Sequence, residues 1–294
     1  MNQLKVIGFV IGVAATLQVV QAQSADSVPN VNKKRLTVVA VGSTTAYVGS
    51  MVGISQVWYS NYDKQSFHFF NDAAEWKQVD KVGHFYSAFQ LSRIGSQALK
   101  WTHLPKKKSD QIGAIASVVV MSSIEVLDGF SAGYGASASD LAANIAGSTF
   151  YLSQSLIWNE VRVYPKFSFH RTSYAALRPN TLGSKFNEEL LKDYNGQTYW
   201  LSVDVDKFTE FPKWINLAVG YGAEEMIYAI NKQNQSAGYD PYRQFYVSVD
   251  FDFTSIRTKS KFVKGLLFFA NMIKLPSPTI ALSKKGTKAY AFYF

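Results

Sequence analysis

The sequence predicts an α+β protein, with a membrane-associated bundle of about four helices followed by an antiparallel β-sheet or partial barrel. Residues 36–158 contain apolar stretches rich in small residues, which is typical of packed helices. From about residue 161, apolar and polar residues alternate with a period of two, which is typical of strands. Of the 294 residues, 47% are apolar and 17% are charged, so the chain suits a large core or a membrane interface.

The N-terminal segment predicts export from the cytoplasm. Lys5 precedes the apolar run VIGFVIGVAATLQVV, and small or apolar residues at VQA predict a signal peptide over residues 1–22. A retained membrane anchor is the alternative interpretation. Residues 23–35 are predicted to be a linker. The sequence has no cysteine, so we expect no disulfide, no thiolate metal site and no lipid-modified N-terminal cysteine.

Residues 36–160 are predicted to form the helical domain. Its first helix covers residues 36–59, which include no charged residue and are long enough to span a bilayer. A buried core helix of a soluble bundle is the alternative. A second helix runs from Asp80 to a breaker at Pro105, and a third is predicted to begin with Ser109 as its N-cap. The fourth helix follows the glycine-rich turn at residues 129–135.

Residues 161–294 are predicted to form the antiparallel β domain. Alternation is clearest in YWLSVDVDKF and QFYVSVDFDF, weaker in WINLAVGYG and RVYPKFSFH, and aromatic in the terminal KAYAFYF. About six strands are expected, which is fewer than the smallest common membrane barrel has. An ordinary soluble sandwich is the alternative. One amphipathic helix near residues 260–273 is expected to lie at an interface.

The charge balance predicts an anionic partner. The formal net charge is +9, and the basic clusters KKR and PKKK flank apolar segments. This placement favours membrane lipid or an anionic envelope surface as the partner. No nucleic-acid-binding motif is present, so nucleic acid is not expected, and protein partners stay open.

Three helices carry polar residues at spacings that place them on one helix face. Residues four or three apart lie on the same side of a helix, and this holds for each of the three groups. The candidate site residues are Asp80 and His84, then Glu125 and Asp128, then Asp140 and Asn144. The structural alternatives are a capping box from Ser137 to Asp140 and a first-turn acid at Asp80.

Acids near a histidine support two kinds of chemistry. They can tune the histidine for general acid–base work, or they can join it as ligands of a divalent metal. No strong metal-binding spacing is present, so the cofactor stays unknown. We predict that His84 and Glu125 face each other across the helix packing, since a buried glutamate needs a partner to remain ionised.

The motifs DKVGHF, EVLDGFS and SASDLAANIAG resemble those of the YfiM-like family of uncharacterised bacterial envelope proteins. More distantly, the order of these motifs is similar to that in the VanZ-like membrane proteins. The resemblance covers about residues 75–155 and implies an envelope protein. Members of the first family are often lipoproteins, so this cysteine-free chain is expected to be anchored differently. Neither family has an established reaction, and the resemblance therefore supports the site without naming its chemistry.

The sequence therefore predicts an exported envelope protein, with the outer membrane favoured over the inner membrane or periplasm. Its first expected role is structural or in assembly, with the Asp/His/Glu/Asn cluster buried. One alternative is a hydrolase or transferase acting on lipid or glycan, which would use His84 with Glu125 or Asp80. Another alternative is a lipid-binding or transport component.

Overall fold

The computed structural model describes residues 30–59 and 62–294. The predicted signal peptide and most of the predicted linker lie outside these residues. The chain divides into two compact units, of which the first contains residues up to Ala73 together with Ser87–Asn159. The second contains Ala74–Tyr86 and Glu160–Phe294. The bounds given above for the predicted domains stay predictions.

Four long helices are present, as predicted for this part of the chain. They are α1 (Lys33–Trp58), α2 (Val79–Trp101), α3 (Lys106–Asp128) and α4 (Ala138–Trp158). The first two turns of α2 are grouped with the second unit. Within the first unit, α3 packs against α4. One apolar cluster joins Tyr47 and Met51 of α1 to Leu127 of α3.

Two helix starts differ from the sequence prediction. Helix α1 begins at Lys33 because the Asn32 side chain accepts a hydrogen bond from the Arg35 amide at 3.0 Å. Helix α3 begins at Lys106, directly after Pro105, so Ser109 is not its N-cap. The Ser109 hydroxyl instead donates to the Leu104 carbonyl oxygen at 3.2 Å. The N-cap predicted at Ser137 is present in α4.

The second unit contains a six-stranded antiparallel sheet, which is open rather than closed. Its strands are β1 (Val163–Phe169), β2 (Gln197–Val203), β3 (Ile215–Glu224), β4 (Tyr242–Phe251), β5 (Ser277–Ser283) and β6 (Gly286–Tyr293). Their order in the sheet is their order in the chain. The α+β class and the C-terminal antiparallel sheet are therefore confirmed.

The connections between strands contain short helices that the sequence pattern did not predict. Helices α5 (Pro179–Leu182) and α6 (Phe186–Lys192) lie between β1 and β2, and α7 (Asn231–Ser236) lies between β3 and β4. The expected amphipathic helix is α8 (Lys261–Ala270), which precedes β5. The segment after α8 covers part of the outer edge of β1, where the Phe167 amide donates to the Met272 carbonyl oxygen at 3.0 Å.

Candidate functional site

Asp80 and His84 lie in the first two turns of α2 and form a pair. The distance from Asp80 Oδ1 to His84 Nε2 is 3.9 Å, which is an ion-pair distance if the imidazole is protonated. The Tyr194 hydroxyl donates to Asp80 Oδ1 at 2.7 Å, and Lys81 Nζ lies 3.0 Å from Asp80 Oδ2. These donors hold the Asp80 carboxylate beside the imidazole.

Gly83 explains how this turn of α2 approaches the sheet so closely. A Cβ atom at this position would lie only 2.7 Å from the hydroxyl oxygen of Tyr199 on β2. The Tyr199 hydroxyl itself donates to Gln197 Oε1 at 2.9 Å. The spacing D-x-x-G-H therefore serves two purposes, since the glycine permits the close approach and the flanking residues form the pair.

Glu125 is buried and lies beside the start of α4. Its Oε2 accepts a hydrogen bond from the backbone amide of Ser137 at 3.2 Å. The Ser137 side chain in turn accepts from the Asp140 amide at 3.1 Å, as the predicted capping arrangement requires. A carboxylate at a helix N-terminus is stabilised by the free amides and by the helix dipole. This contact gives Glu125 a structural role at the start of α4.

A further acid at this helix start was not singled out from the sequence. Asp72 accepts hydrogen bonds from the hydroxyl groups of Ser137 at 2.5 Å and Ser139 at 2.8 Å. No motif points to Asp72, because it lies in an irregular segment far from α4 in the chain. Glu125 and Asp72 therefore both stabilise the N-terminus of α4.

The remaining candidates belong to the first unit. Asp128, at the end of α3, accepts a hydrogen bond from the Tyr59 hydroxyl at 2.7 Å. Asp140 is buried in the first turn of α4, and Asn144 is buried one turn later. The structure thus gathers Glu125, Asp128, Asp140 and Asn144 in one unit, and Asp80 and His84 in the other. The pairing of His84 with Glu125 stays a prediction.

Asp110 is a densely hydrogen-bonded acid of the first unit that sequence reasoning missed. Its carboxylate lies 2.7 Å from Lys100 Nζ and 2.9 Å from Lys106 Nζ. The Tyr151 hydroxyl donates to it at 2.7 Å, and further bonds come from the hydroxyl groups of Ser96 and Ser155. The spacing of Lys106 and Asp110, four apart on a helix, was the only sequence indication.

The first unit buries several polar residues and exposes several apolar ones. Asp110, Ser96 and Asn144 are fully buried, whereas Val38 on α1 and Ile157 on α4 are 60% and 73% exposed. Two described helices, α1 and α3, are long and apolar enough to cross a membrane, and α1 is mostly exposed. The combination of buried polar groups with exposed apolar ones adds to this observation, because ordinary soluble proteins mostly expose their polar residues.

The β-sheet shows the same inversion. Along β4, Gln244, Ser248 and Asp250 are buried while the residues between them, such as Val247, are exposed. Neighbouring strands continue this pattern because Leu201, Val219, Val247 and Ile280 follow one another across the register. The result is a contiguous apolar outer face, comprising Leu201, Leu217, Val219, Phe245, Val247, Val249, Ile280 and Leu282.

The inner face of the sheet contains a buried ion pair. Lys166 Nζ on β1 lies 2.6 Å from Asp250 Oδ2 on β4, and both side chains are fully buried. Lys166 also donates to the Phe251 carbonyl oxygen at 2.8 Å and to Asn271 Oδ1 at 3.0 Å. The Ser202 hydroxyl donates to Asp250 Oδ2 at 2.6 Å. The pair is therefore hydrogen-bonded on both sides, as a buried charge requires.

The Asp80–His84 pair is suited to two kinds of chemistry. An imidazole held by a carboxylate can accept or donate a proton, and the two groups can serve as two ligands of a metal. A catalytic zinc site uses three protein ligands. A metal at His84 therefore stays a hypothesis from the sequence.

Comparison with protein families gives a match to part of the chain. Residues 68–155 match a family described as a predicted periplasmic lipoprotein (DUF2279), which supports an exported protein of the bacterial envelope. The match covers the three motifs of the candidate site but less than half of the chain, and the resemblance to VanZ-like proteins stays a prediction. Comparisons with curated proteins and with solved structures gave no match. The family description names no reaction, so the function has to be argued from the geometry.

Proposed function

We propose that this protein works embedded in a lipid bilayer of the bacterial envelope, with the outer membrane as the favoured location. Its role is structural or in assembly, and its buried polar contacts hold its helices and strands in place. The observation that carries this proposal is the inverted polarity of both units, in which apolar side chains face outward and polar side chains face inward.

The outer face of the sheet supports contact with lipid. Soluble monomers rarely expose contiguous apolar patches larger than a few hundred Å². Here the exposed apolar residues occupy several neighbouring strands and alternate with buried polar ones. Strands with apolar residues outward and polar residues inward are typical of sheets that face hydrocarbon on one side.

Basic residues beside apolar ones support an anionic membrane surface. Helix α8 has exposed apolar side chains at Phe262, Leu266 and Phe269, and lysines at positions 261 and 264. Such a helix lies in the interface plane and gains from anionic headgroups. The net charge of +9 also favours binding to an anionic membrane surface.

The test introduces a charge at the centre of the apolar outer face. In lipid, Val247→Arg is expected to destabilise the fold by about 2–4 kcal/mol, the cost of an arginine facing the bilayer midplane. In water, a substitution at a half-exposed position usually changes stability by no more than about 0.5 kcal/mol. Unfolding by urea in lipid vesicles, followed by tryptophan fluorescence, measures the difference.

Gln235→Arg on the exposed helix α7 is the matched control, because it adds the same charge outside the apolar outer face. Carbonate washing of the cell envelope provides an independent readout of membrane integration. The proposal would be rejected if the protein were released by the wash, or if Val247→Arg and Gln235→Arg unfolded at the same urea concentration.

A second candidate function is a hydrolase or transferase acting on an envelope lipid or glycan. The arrangement of Asp80, His84 and Tyr194 favours it, since an oriented carboxylate beside an imidazole is suited to general base catalysis. In that case His84→Ala abolishes the cellular phenotype while the protein remains folded. Loss of folding together with the phenotype would favour the structural role.

A further inference from the structure

One sequence motif occurs twice in the sheet, at the ends of two strands. The motif S-V-D-x-D occupies residues 202–206 and 248–252, at the ends of β2 and β4. Strand β3 lies between these strands, and Ala218 pairs with Ser202 on one side and with Ser248 on the other. Asp204 and Asp252 therefore leave the sheet at the same end.

These acids line one pocket, which we call the end pocket. Its volume is about 220 Å³, and its acidic lining consists of Glu160, Asp204, Asp206 and Asp252. A single water molecule needs only about 10–15 Å³ of such space, so the end pocket accommodates an ion with several waters. Lys207 and Lys213 also line it.

Asp204 is a buried acid of the end pocket that has one oxygen without a donor. It is 2% exposed, and its Oδ1 has no hydrogen-bond donor within the described part of the chain. A buried carboxylate oxygen without a donor is costly, so a ligand that supplies positive charge is favoured there.

Three other charged groups of the end pocket already have partners. Lys207 Nζ lies 3.3 Å from Glu160 Oε2, and Arg162 Nε lies 3.1 Å from Glu160 Oε1. Asp252 Oδ1 accepts hydrogen bonds from the Thr254 amide at 2.8 Å and the Thr254 hydroxyl at 2.7 Å. Neighbouring Asn216 on β3 is fully buried, and its Oδ1 also lacks a donor in the described chain.

We propose that the end pocket binds a calcium ion, with Asp204 as the central ligand and Asp206 and Asp252 beside it. Carboxylate, amide and carbonyl oxygens are the ligands that hard divalent cations take. Calcium is preferred over magnesium because it accepts irregular sets of six to eight oxygens, whereas magnesium demands near-ideal octahedral geometry. The expected affinity is that of extracellular calcium modules, with Kd of about 10⁻⁴–10⁻³ M.

The experiment uses the purified full chain, treated with a chelator and then titrated with CaCl₂ near pH 7.5. Thermal unfolding is expected to shift upward in a saturable way, and calorimetry is expected to show one binding event. Asp204→Asn should abolish both effects.

Asp240→Asn is the matched control, since Asp240 pairs with Lys284 and does not line the end pocket. This variant should keep the full calcium response. Asp206→Asn should weaken calcium binding by about tenfold or more without abolishing it. This second variant still tests the site if Asp204→Asn does not fold. The proposal is overturned if millimolar CaCl₂ leaves Tm unchanged. A rise of Tm on acidification would then show that the carboxylates are stabilised by protonation and not by calcium. An equal calcium shift in Asp204→Asn also overturns it.

Discussion

Lys166→Met tests whether the buried ion pair holds the sheet together. The substitution keeps most of the side-chain volume but removes the ammonium that contacts Asp250 Oδ2, the Phe251 carbonyl oxygen and Asn271 Oδ1. Asp250 would then remain as a fully buried carboxylate that accepts from the Ser202 hydroxyl and has only an electrostatic interaction with the buried Lys274. The variant therefore separates the cost of an isolated buried charge from the cost of lost packing.

The expected loss of stability is large. Removing one partner of a buried ion pair costs about 3–5 kcal/mol, because the remaining charge is left without compensation. A typical domain has only about 5–15 kcal/mol in total, so this single change consumes a large fraction of it. The double variant Lys166→Met/Asp250→Asn removes both charges. It should recover most of the loss, because the amide oxygen introduced on β4 can still accept from the Ser202 hydroxyl.

Urea unfolding of the single and double variants, monitored by tryptophan fluorescence, gives both free energies. Lys284→Ala is the control, since its partner Asp240 is exposed and the pair should contribute nothing measurable. The reasoning fails if Lys166→Met loses less than about 1 kcal/mol, well below the cost of a buried charge left alone. It also fails if the double variant is no more stable than the single one.

Three further predictions concern other residues. Asp110→Asn should lower the free energy of unfolding by about 1.5–3 kcal/mol, since charge-assisted hydrogen bonds are lost, and denaturant titration measures this. Glu125→Gln should cost about 0.5–2 kcal/mol through the weakened start of α4, as seen by thermal unfolding. For Asp204 the folded pKa of about 8 exceeds the ordinary 3.8, so its stabilising contribution is complete below about pH 4 and lost as the pH rises through about 8. Unfolding measured in chelator from about pH 5 to about pH 9 should therefore show a decline that Asp204→Asn reduces.

Local periodicity was sufficient to predict most elements but not all. Alternation identified β2 and β4, because a half-buried strand repeats every two residues. It missed β5, since Pro276 and Pro278 flank its start and mask the alternation. The short helices α5 and α6 carry no apolar stripe long enough to detect. Helix α2 ends at Trp101 and α3 begins directly after Pro105, so the cap predicted at Ser109 is wrong.

The candidate site could be predicted only where one element supplies all its parts. The contact between Asp80 and His84 follows from helical spacing, and so does the one between Lys106 and Asp110. Tyr194, which donates to Asp80, lies far away in the chain, and only the fold brings it close. The same is true of Lys166 and Asp250, because the register of strands that are not adjacent in the sheet has no local signature.

The strand order has a consequence for how the sheet is assembled. Every strand pairs only with its predecessor and successor in the chain, and the last two are joined by the tight turn at Lys284 and Lys285. Each new strand can therefore dock onto an edge that already exists, without closing a long loop around a distant partner. The C-terminal strand β6 is then the last to be added.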